Sequence, residues 1–395
     1  MGRTVSAVVT CGRKRLGALG PFTVDSAWWA EVGQVVAVLR RELGVPVLVL
    51  RLLHVDGGEG GRDGHVTYHV EAERPTRRLE PYPGDLLSPH RFRSPWATAE
   101  GLRELLSWAR TELAARGRPV TGAVEQHRTW NLAGLFRLPT GEGPVWLKST
   151  PHFATDEPAV IAAFARHDPT LVPTVLAAGD HRMLLEHLPG EDCWHATEES
   201  VASAVHRFVA VQATLAGARL PLPDRRRAAD QVRALLDGPV DGDLTADERA
   251  RARLLTDRWA ELDDCGLPDT VVHGDFHPGN WRATPGGPPV VLDFADAHLG
   301  NPVLDGLRAG DYLAAPTRPA AARAWVDAWT EHRPGARPRR ALRVAEPLAH
   351  LGYAVRYQEF LDGIEPSERV YHRGDPTSVI RAALRVAAAP SAWVG

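Results

Sequence analysis

The chain predicts an α+β protein in which a small mixed unit comes first, a β-rich segment second and a helical remainder last. Three observations carry this. From about residue 120 short β-type segments recur as far as His187. After Pro189-Gly190 apolar residues fall at helical spacing to the end, apart from a β-type island around Val271, Val272 and Val290–Asp293. Residues 72–97, rich in Pro, Arg and Ser, read as a linker or irregular wrap behind the opening unit. The expected divisions are therefore 1–97, 98–190 with a leading helix, and 191–395.

In order, Ser6–Val9 predicts a strand, and Asp25 or Ser26 caps a helix running to Leu43, with Trp28, Val32, Val35, Val36 and Leu39 on one face and Gly44 as its stop. Val47–Val55 is a β-prone apolar run, and Val66, Tyr68 and Val70 alternate with His65, Thr67 and His69 as in a half-buried strand. The glycine-rich Asp56–Gly64 between them reads as a hairpin turn; no Gly-Lys-Ser/Thr follows it, so a phosphate loop is disfavoured. Thr98–Ala115 carries Leu102, Leu105, Leu106, Ala109 and Leu113 on one helical stripe. Ala123–Gln126, Leu132–Leu138, Val145–Lys148, Val175–Ala178 and Met183–His187 read as strands, with a helix from about Asp156 to His167.

Composition sets broad limits. A length of 395 residues allows two or three domains, and 44% apolar with 24% charged residues is ordinary for a soluble protein. A net charge of −3 gives no global field favouring nucleic acid or membrane. Cys11, Cys193 and Cys265 are odd in number and far apart, which predicts reduced thiols in a cytoplasmic protein. No apolar signal core or membrane-length apolar span is present. Lys14 and Lys148 are the only lysines, so Lys148 stands out.

The chemistry concentrates in His273-Gly-Asp275-Phe-His277-Pro-Gly279-Asn280, followed by Asp293 at the end of an apolar run. Phosphoryl transfer needs a carboxylate to take or orient a hydroxyl proton, and oxygen ligands to hold Mg²⁺ on the nucleotide phosphates. Asp275 is the expected base, Asn280 and Asp293 the expected metal ligands, and His273 a brace for the loop. Lys148, near the end of its strand, is expected to reach nucleotide phosphates, with Glu157 on the next helix as its partner and Asp156 as a competitor. Backbone groups near Glu186 and Leu188 are expected to meet the purine edge. The rival reading of His273, Asp275 and His277 as hydrolase metal ligands leaves Asn280, Asp293 and Lys148 without roles.

From about residue 120 the chain resembles the aminoglycoside phosphotransferase and choline-kinase-like family, through "VWLKS", the Glu157 helix, "LLEHLPG", "HGDFHPGN" and "VLDFADAHLGNPVLDGL". The resemblance implies a bilobal, protein-kinase-like fold with a β-rich N-lobe and a helical C-lobe, here preceded by an N-terminal α+β cap. It implies ATP or GTP with Mg²⁺ and phosphorylation of a small-molecule hydroxyl. It also implies that Asp305 braces the catalytic loop. The nucleotide-covering loop is expected near Gln126–Asn131, where backbone amides, Arg128 or Thr129 would contact phosphate in the absence of a glycine motif.

The acceptor is expected against the helical C-terminal region, with Asp311, Tyr312, His350, Tyr353, Tyr357, Gln358 and Glu359 as candidate contacts, Asp311, Tyr357 and Gln358 foremost, and with Asp311, Glu359, Asp362 and Glu365 as a possible acidic wall. The leading expectation is phosphorylation of an aminoglycoside-like or other antibiotic or amino-sugar natural product, for antibiotic resistance, self-protection or biosynthesis, by a monomer or homodimer. A metabolic sugar kinase of the maltokinase or glucosamine-kinase kind is the alternative within the class, and a silent kinase-fold binding module the alternative outside it. A protein kinase is disfavoured because Asp293 to Asp305 is too short for an activation loop.

Overall fold

The computed structural model describes residues 2–75 and 77–389; Met1, Thr76 and residues 390–395 lie outside them. The chain forms two compact units. One comprises residues 1–154, 175–187 and 361–372, the other residues 155–174, 188–360 and 373–395.

The first unit opens with β1 (Arg3–Cys11), β2 (Lys14–Val24), α1 (Gly33–Leu43), β3 (Val47–Asp56) and β4 (His65–Ala72). The four strands form one sheet in the order β2-β1-β4-β3, with β1 and β4 parallel. β2 escaped the sequence reading because Gly17, Gly20 and Pro21 interrupt its apolar residues. A strand so constituted is tolerated at a sheet edge. Its edge is covered: Ala18 N–H donates to Glu80 O at 2.7 Å and Leu79 N–H to Leu16 O at 3.0 Å. Gly17 has φ 121°, and a Cβ there would lie 2.4 Å from Glu80 O, so the covering segment depends on that glycine.

Helix α1 starts at Gly33, seven or eight residues after the predicted caps. Residues before it are held elsewhere. Trp29 donates its backbone N–H to Gly61 O at 2.8 Å and its indole N–H to Asp63 O at 2.7 Å, which pins the chain to the β3–β4 turn. Gly44 ends the helix at φ 65°, where the sequence places the stop. In β4 the alternation fails at His69, which is buried and lies 2.9 Å from Thr10 Oγ1.

The same unit contains α2 (Ala99–Ala115), β5 (Glu125–Trp130), β6 (Ala133–Leu138), β7 (Val145–Ser149), β8 (Val175–Gly179) and β9 (Arg182–Glu186). These strands form an antiparallel sheet in the order β5-β6-β7-β9-β8. The α2 stripe behaves as its spacing predicts, and its leucines share a core with Phe136, Leu138, Val145, Leu147 and Leu184. Thr98 caps this helix by accepting from Gly101 N–H.

The segment expected to be a loop over nucleotide, Gln126–Asn131, is mostly strand β5. The physical reason is antiparallel pairing with β6, Glu125 opposite Arg137 and Trp130 opposite Ala133, to which is added the side chain of Gln126. Its carboxamide accepts from Val49 N–H and donates to Val49 O, both at 2.7 Å, so it completes backbone pairing that β3 would otherwise lack.

A long-range latch closes this unit. Arg51 on β3, with its side chain 5% exposed, donates to Glu365 at 3.0 Å, and Arg93 donates to the same carboxylate at 3.1 Å. Glu368 accepts from Leu52 N–H at 3.2 Å, and Tyr371 packs edge-on to Trp29 and Trp130.

In the second unit α3 (Glu157–Ala165) is followed by β10 (Glu191–Asp192), α4 (Glu198–Thr214), α5 (Ala228–Asp237), α6 (Ala246–Leu255) and α7 (Arg258–Asp263). Then come β11 (Thr270–Val272), β12 (Trp281–Ala283), β13 (Val290–Val291), β14 (His298–Gly300), α8 (Val303–Arg308), α9 (Arg318–His332), α10 (Pro338–Gly363) and α11 (Asp375–Ala388). Two small sheets, β10-β12-β13 and β11-β14, flank residues 273–280. Thr197 caps α4, and Thr245 with Glu248 forms a capping box on α6. A Cβ on Gly306 would lie 2.5 Å from the Trp325 ring, so α8 can approach α9 only because that residue is glycine. Among the described residues no helix is long and apolar enough to cross a membrane.

Two outcomes follow for the first unit. Glu365→Ala leaves Arg51 buried without its carboxylate, and breaking a buried pair in this way costs roughly 3–5 kcal/mol. Chemical denaturation should show that loss, whereas Glu42→Ala, which removes the exposed Arg41–Glu42 pair, should leave the midpoint unmoved. Burial, with the Arg51 and Arg93 charges, pushes His69 down to about 3. Below the ordinary histidine range the unfolded chain then binds a proton that the folded chain refuses, so stability is full above about pH 6.5 and falls towards pH 3. The slope from this residue approaches about 1.4 kcal/mol per pH unit, and His69→Gln should flatten the acid limb of a stability–pH curve.

Candidate active site

Strand β11 is wholly buried and delivers the chain to the 273–280 loop. At the loop's start Asp305, on α8, gathers three N–H donors. His273 N–H donates at 2.8 Å, Gly274 N–H at 3.0 Å and the Gln212 amide, from α4, at 2.8 Å. Burial pushes the Asp305 carboxyl up to about 7, and these donors pull the other way. Gly274 has φ 86°, and a Cβ there would lie 2.5 Å from Asp296 O.

His273 ties the loop to the segment before Asp293. Its Nε2 is 2.9 Å from Leu292 O and its Nδ1 is 3.1 Å from Asp275 N–H. A carbonyl accepts only, so Nε2 carries the proton and Nδ1 is the acceptor. Burial pushes this imidazole down, and the neutral form matches both bonds. Beneath it the rings of Phe164, Phe208, Phe276 and Phe294 form a continuous aromatic floor, with Phe208 and Phe276 stacked at 4.2 Å.

Asp275 is surrounded by donors. Arg308 reaches Oδ1 with Nε at 2.9 Å and Nη2 at 2.7 Å. Asn280 Nδ2 donates to Oδ2 at 3.0 Å and to the Asp275 carbonyl at 2.9 Å. His277 Nδ1 accepts from Gly279 N–H at 3.0 Å, so its Nε2, 3.3 Å from Asp275 Oδ2, is the protonated nitrogen. Burial alone would raise Asp275; the His277 hydrogen bond and the Arg308 charge overcome it and hold the carboxyl well below the usual carboxylate range.

Asn280 spends its amide protons on Asp275, which turns its carbonyl oxygen into the end that could hold a cation. Leu292 N–H donates to Asn280 O at 2.8 Å, so the backbones carrying Asn280 and Asp293 are cross-linked. Asp293 is exposed and has φ 64°, a left-handed conformation that aspartate tolerates better than most residues. An amide oxygen and a carboxylate suit a hard cation such as Mg²⁺, which keeps several waters and takes its remaining ligands from phosphate. Among the described residues no group of three His, Cys, Asp or Glu could hold a metal. The proton assignments of His273 and His277 also leave the H-x-D-x-H hydrolase reading without imidazole ligands.

The remaining predicted residues divide. Asp311 joins the Asp275 cluster, 2.8 Å from Arg308. Burial pushes the Tyr357 hydroxyl up to about 12, and its ring meets Phe360 edge-on. Gln358 accepts from Asp241 N–H at 3.0 Å and so braces a loop. Glu365 is no part of an acidic wall; it is the buried latch of the first unit. Leu188 O already accepts from Arg282 Nε at 2.9 Å. In the first unit Lys148 is buried on β7 between Leu135 and Met183, and Glu186 ends β9 with its carboxylate on Arg118. Arg128 is a largely exposed residue of β5, 4.0 Å from Glu31. In the second unit Glu157 is buried at the first turn of α3.

Sequence reasoning missed Arg308, Gln212 and Trp194, while Tyr312 stood among its acceptor candidates. Arg308 offers no motif, only a place one turn after Asp305. Trp194 lies beside His277 at 5.6 Å between ring centres, and a Cβ on Gly279 would lie 2.2 Å from its ring. Tyr312, at φ 63°, is 5.1 Å from His277 and 5.8 Å from Trp194.

No curated protein matches the sequence. Among solved structures the chain is similar to a choline/ethanolamine kinase family protein from Mesorhizobium loti, at 18% identity over 72% of this chain and 96% of that one, with a TM-score of 0.55. It is also similar to the choline kinase LicA from Streptococcus pneumoniae, at 11% identity over 71% of this chain and 98% of that one, with a TM-score of 0.51. At such identities the likeness is one of fold, and the fold is protein-kinase-like. The profile of the phosphotransferase enzyme family matches residues 136–342, which span the β6–β9 strands, the Asp275 loop and Asp305. That match covers more than half of the 395 residues, and the chain belongs to the phosphotransferase enzyme family, as a small-molecule phosphotransferase.

Proposed function

We propose that the protein transfers the γ-phosphoryl group of ATP or GTP to a hydroxyl of a sugar or amino-sugar type small molecule, antibiotics of that kind included. The observation that carries this reading is the donor cage around Asp275, which keeps an ionised carboxylate fixed beside the Asn280 carboxamide. In the proposed reaction Asp275 Oδ2 receives the hydrogen bond of the acceptor hydroxyl, orients its lone pair, and takes the proton late, as the oxygen bonds to phosphorus. A carboxylate held so far below its usual range is a weak base, so orientation is its larger contribution.

Asn280 and Asp293 are the residues that would hold Mg²⁺, which when bound neutralises charge on the phosphates. Lys148 contributes a fixed positive charge to the nucleotide phosphates, and its burial in β7 makes it a restrained one. The N–H groups near Glu186 and Leu188 are left to the purine edge, with the Leu188 carbonyl engaged by Arg282. Asp305 and His273 act through the loop, holding the backbone that carries Asp275.

Two features bear on the acceptor. The acids near Asp275 are matched by arginines: Asp311 by Arg308, and Glu359 by Arg225 and Arg356. A polycation would find little unbalanced negative charge there, which favours the neutral end of the sugar range and supports a metabolic sugar kinase as a second reading. Trp194 and Tyr312, 43% and 59% exposed, present aromatic faces beside His277 that suit the C–H face of a saturated ring.

Transfer of labelled γ-phosphate from ATP or GTP to pooled sugars, amino sugars and aminoglycosides tests the reading; a protein that binds Mg-nucleotide but labels no acceptor would be a silent binding module. Asp275→Asn keeps the shape and removes the charge. It should lower kcat by about 10²–10⁴ with nucleotide affinity nearly intact, and retained kcat would take Asp275 out of the reaction. Lys148→Ala should raise the nucleotide KM and lower kcat together, and unchanged values for both would show a lysine with no part in nucleotide use.

A further inference from the structure

The second unit holds a cavity that none of the proposed catalytic side chains lines. Its walls come from α5, α7, α8, α10 and β14, with Val232, Leu262 and Leu348 among its apolar residues. Asp275, His277, Asn280 and Asp293 are absent from the lining. The cavity volume is about 70 Å³, where a single water needs roughly 10–15 Å³. Asp263, Asp269 and Arg226 stand at an exposed rim, so the space has a way in.

Two features of the lining point to an occupant. His298 is 5% exposed, and its Nδ1 is 2.9 Å from Asp296 O. That carbonyl can only accept, so Nδ1 carries the ring proton. Burial, together with the Arg225 charge, pushes the imidazole down to about 3, so the ring is neutral. Nε2 is then a bare acceptor, and among the described residues it has no hydrogen-bond partner. A buried acceptor left in that state is unfavourable unless something donates to it. The second feature is Gly352. It lies inside α10, where glycine weakens a helix, and a Cβ built on it meets nothing within 4 Å. The residue that would begin to fill the cavity is missing its side chain.

We propose that this cavity is a second small-molecule site, for a ligand with an apolar body of about ring size and a hydroxyl or amine proton directed at His298 Nε2. The ligand is anchored by one directional hydrogen bond and otherwise by burial against the helix side chains. Its wall includes Gly274 and Asp296, whose contact supports the catalytic loop, so the site is next to the reacting groups without containing them.

Phenol and toluene have nearly the same shape and differ in the one donor, so they serve as probes on the full chain. Phenol should bind at least about fivefold tighter than toluene by titration, and the ¹⁵N resonance of His298 Nε2 should shift with phenol alone. Gly352→Leu fills the open space and adds a better helix former. It should abolish binding of both probes while retaining or raising Tm. Equal affinities, an unmoved His298 resonance, or phenol binding that survives Gly352→Leu would each overturn the proposal; the resonance decides on the unmodified protein should the variant not fold.

Discussion

One carboxylate organises the second unit. Asp305 reaches from α8 to the first two N–H groups of the 273–280 loop and to the Gln212 amide, which also donates to Val271 O at 2.9 Å. Helix α4, strand β11, the loop and α8 therefore meet at one buried acid. The backbone there cannot satisfy itself, because Gly274 turns at φ 86° immediately after the strand ends. The rest of the loop inherits its position from that turn. His273 then ties Asp275 N–H and Leu292 O with one neutral ring, so the stretch carrying Asn280 and the stretch carrying Asp293 share a frame.

Within that frame the charges are arranged in alternation. Arg308 lies on Asp275 and Asp311, and its guanidinium faces the rings of Tyr312 and Tyr353 at 5.1 and 5.7 Å. A chain of pairs runs from Asp296 through Arg356 and Glu359 to Arg225. Each buried charge has a partner, as low dielectric requires. The consequence for the proposed chemistry is that Asp275 is ionised at any physiological pH, and protonation of the carboxylate itself should not limit turnover near neutrality.

The sequence made some of this legible for reasons that are local. The H-x-D-x-x-x-x-N spacing, the aspartate two residues after β13 and the leucine stripe of α2 are all read from neighbours a few residues away. Arg308 was hidden because an arginine in a chain with only two lysines carries no contrast, and its position one turn after Asp305 is informative only once that acid is known to be buried. The reading of Gln126–Asn131 as a loop missed the hairpin that β5 makes with β6, and the added tie from the Gln126 side chain to Val49 spans 77 residues. β2 was missed because its glycines and proline look like a turn until residues 79–80 are seen to cover the edge. The latch at Glu365 had no local signal at all: Arg51 is separated from it by 314 residues.

That latch changes how the opening residues are to be understood. Read along the chain, they carry a core of their own, built from β1, β3, β4 and α1. In space the core is completed by Tyr371, and its buried arginine is neutralised by Glu365, both from the segment after α10. An isolated fragment ending before that segment would expose Arg51 without a counter-charge and leave Trp29 without the Tyr371 ring. Uncompensated burial of that kind is among the larger single penalties a small unit can meet. That core is thus continuous in its packing but not in its sequence, and the residues after α10 belong to it as much as the first strand does.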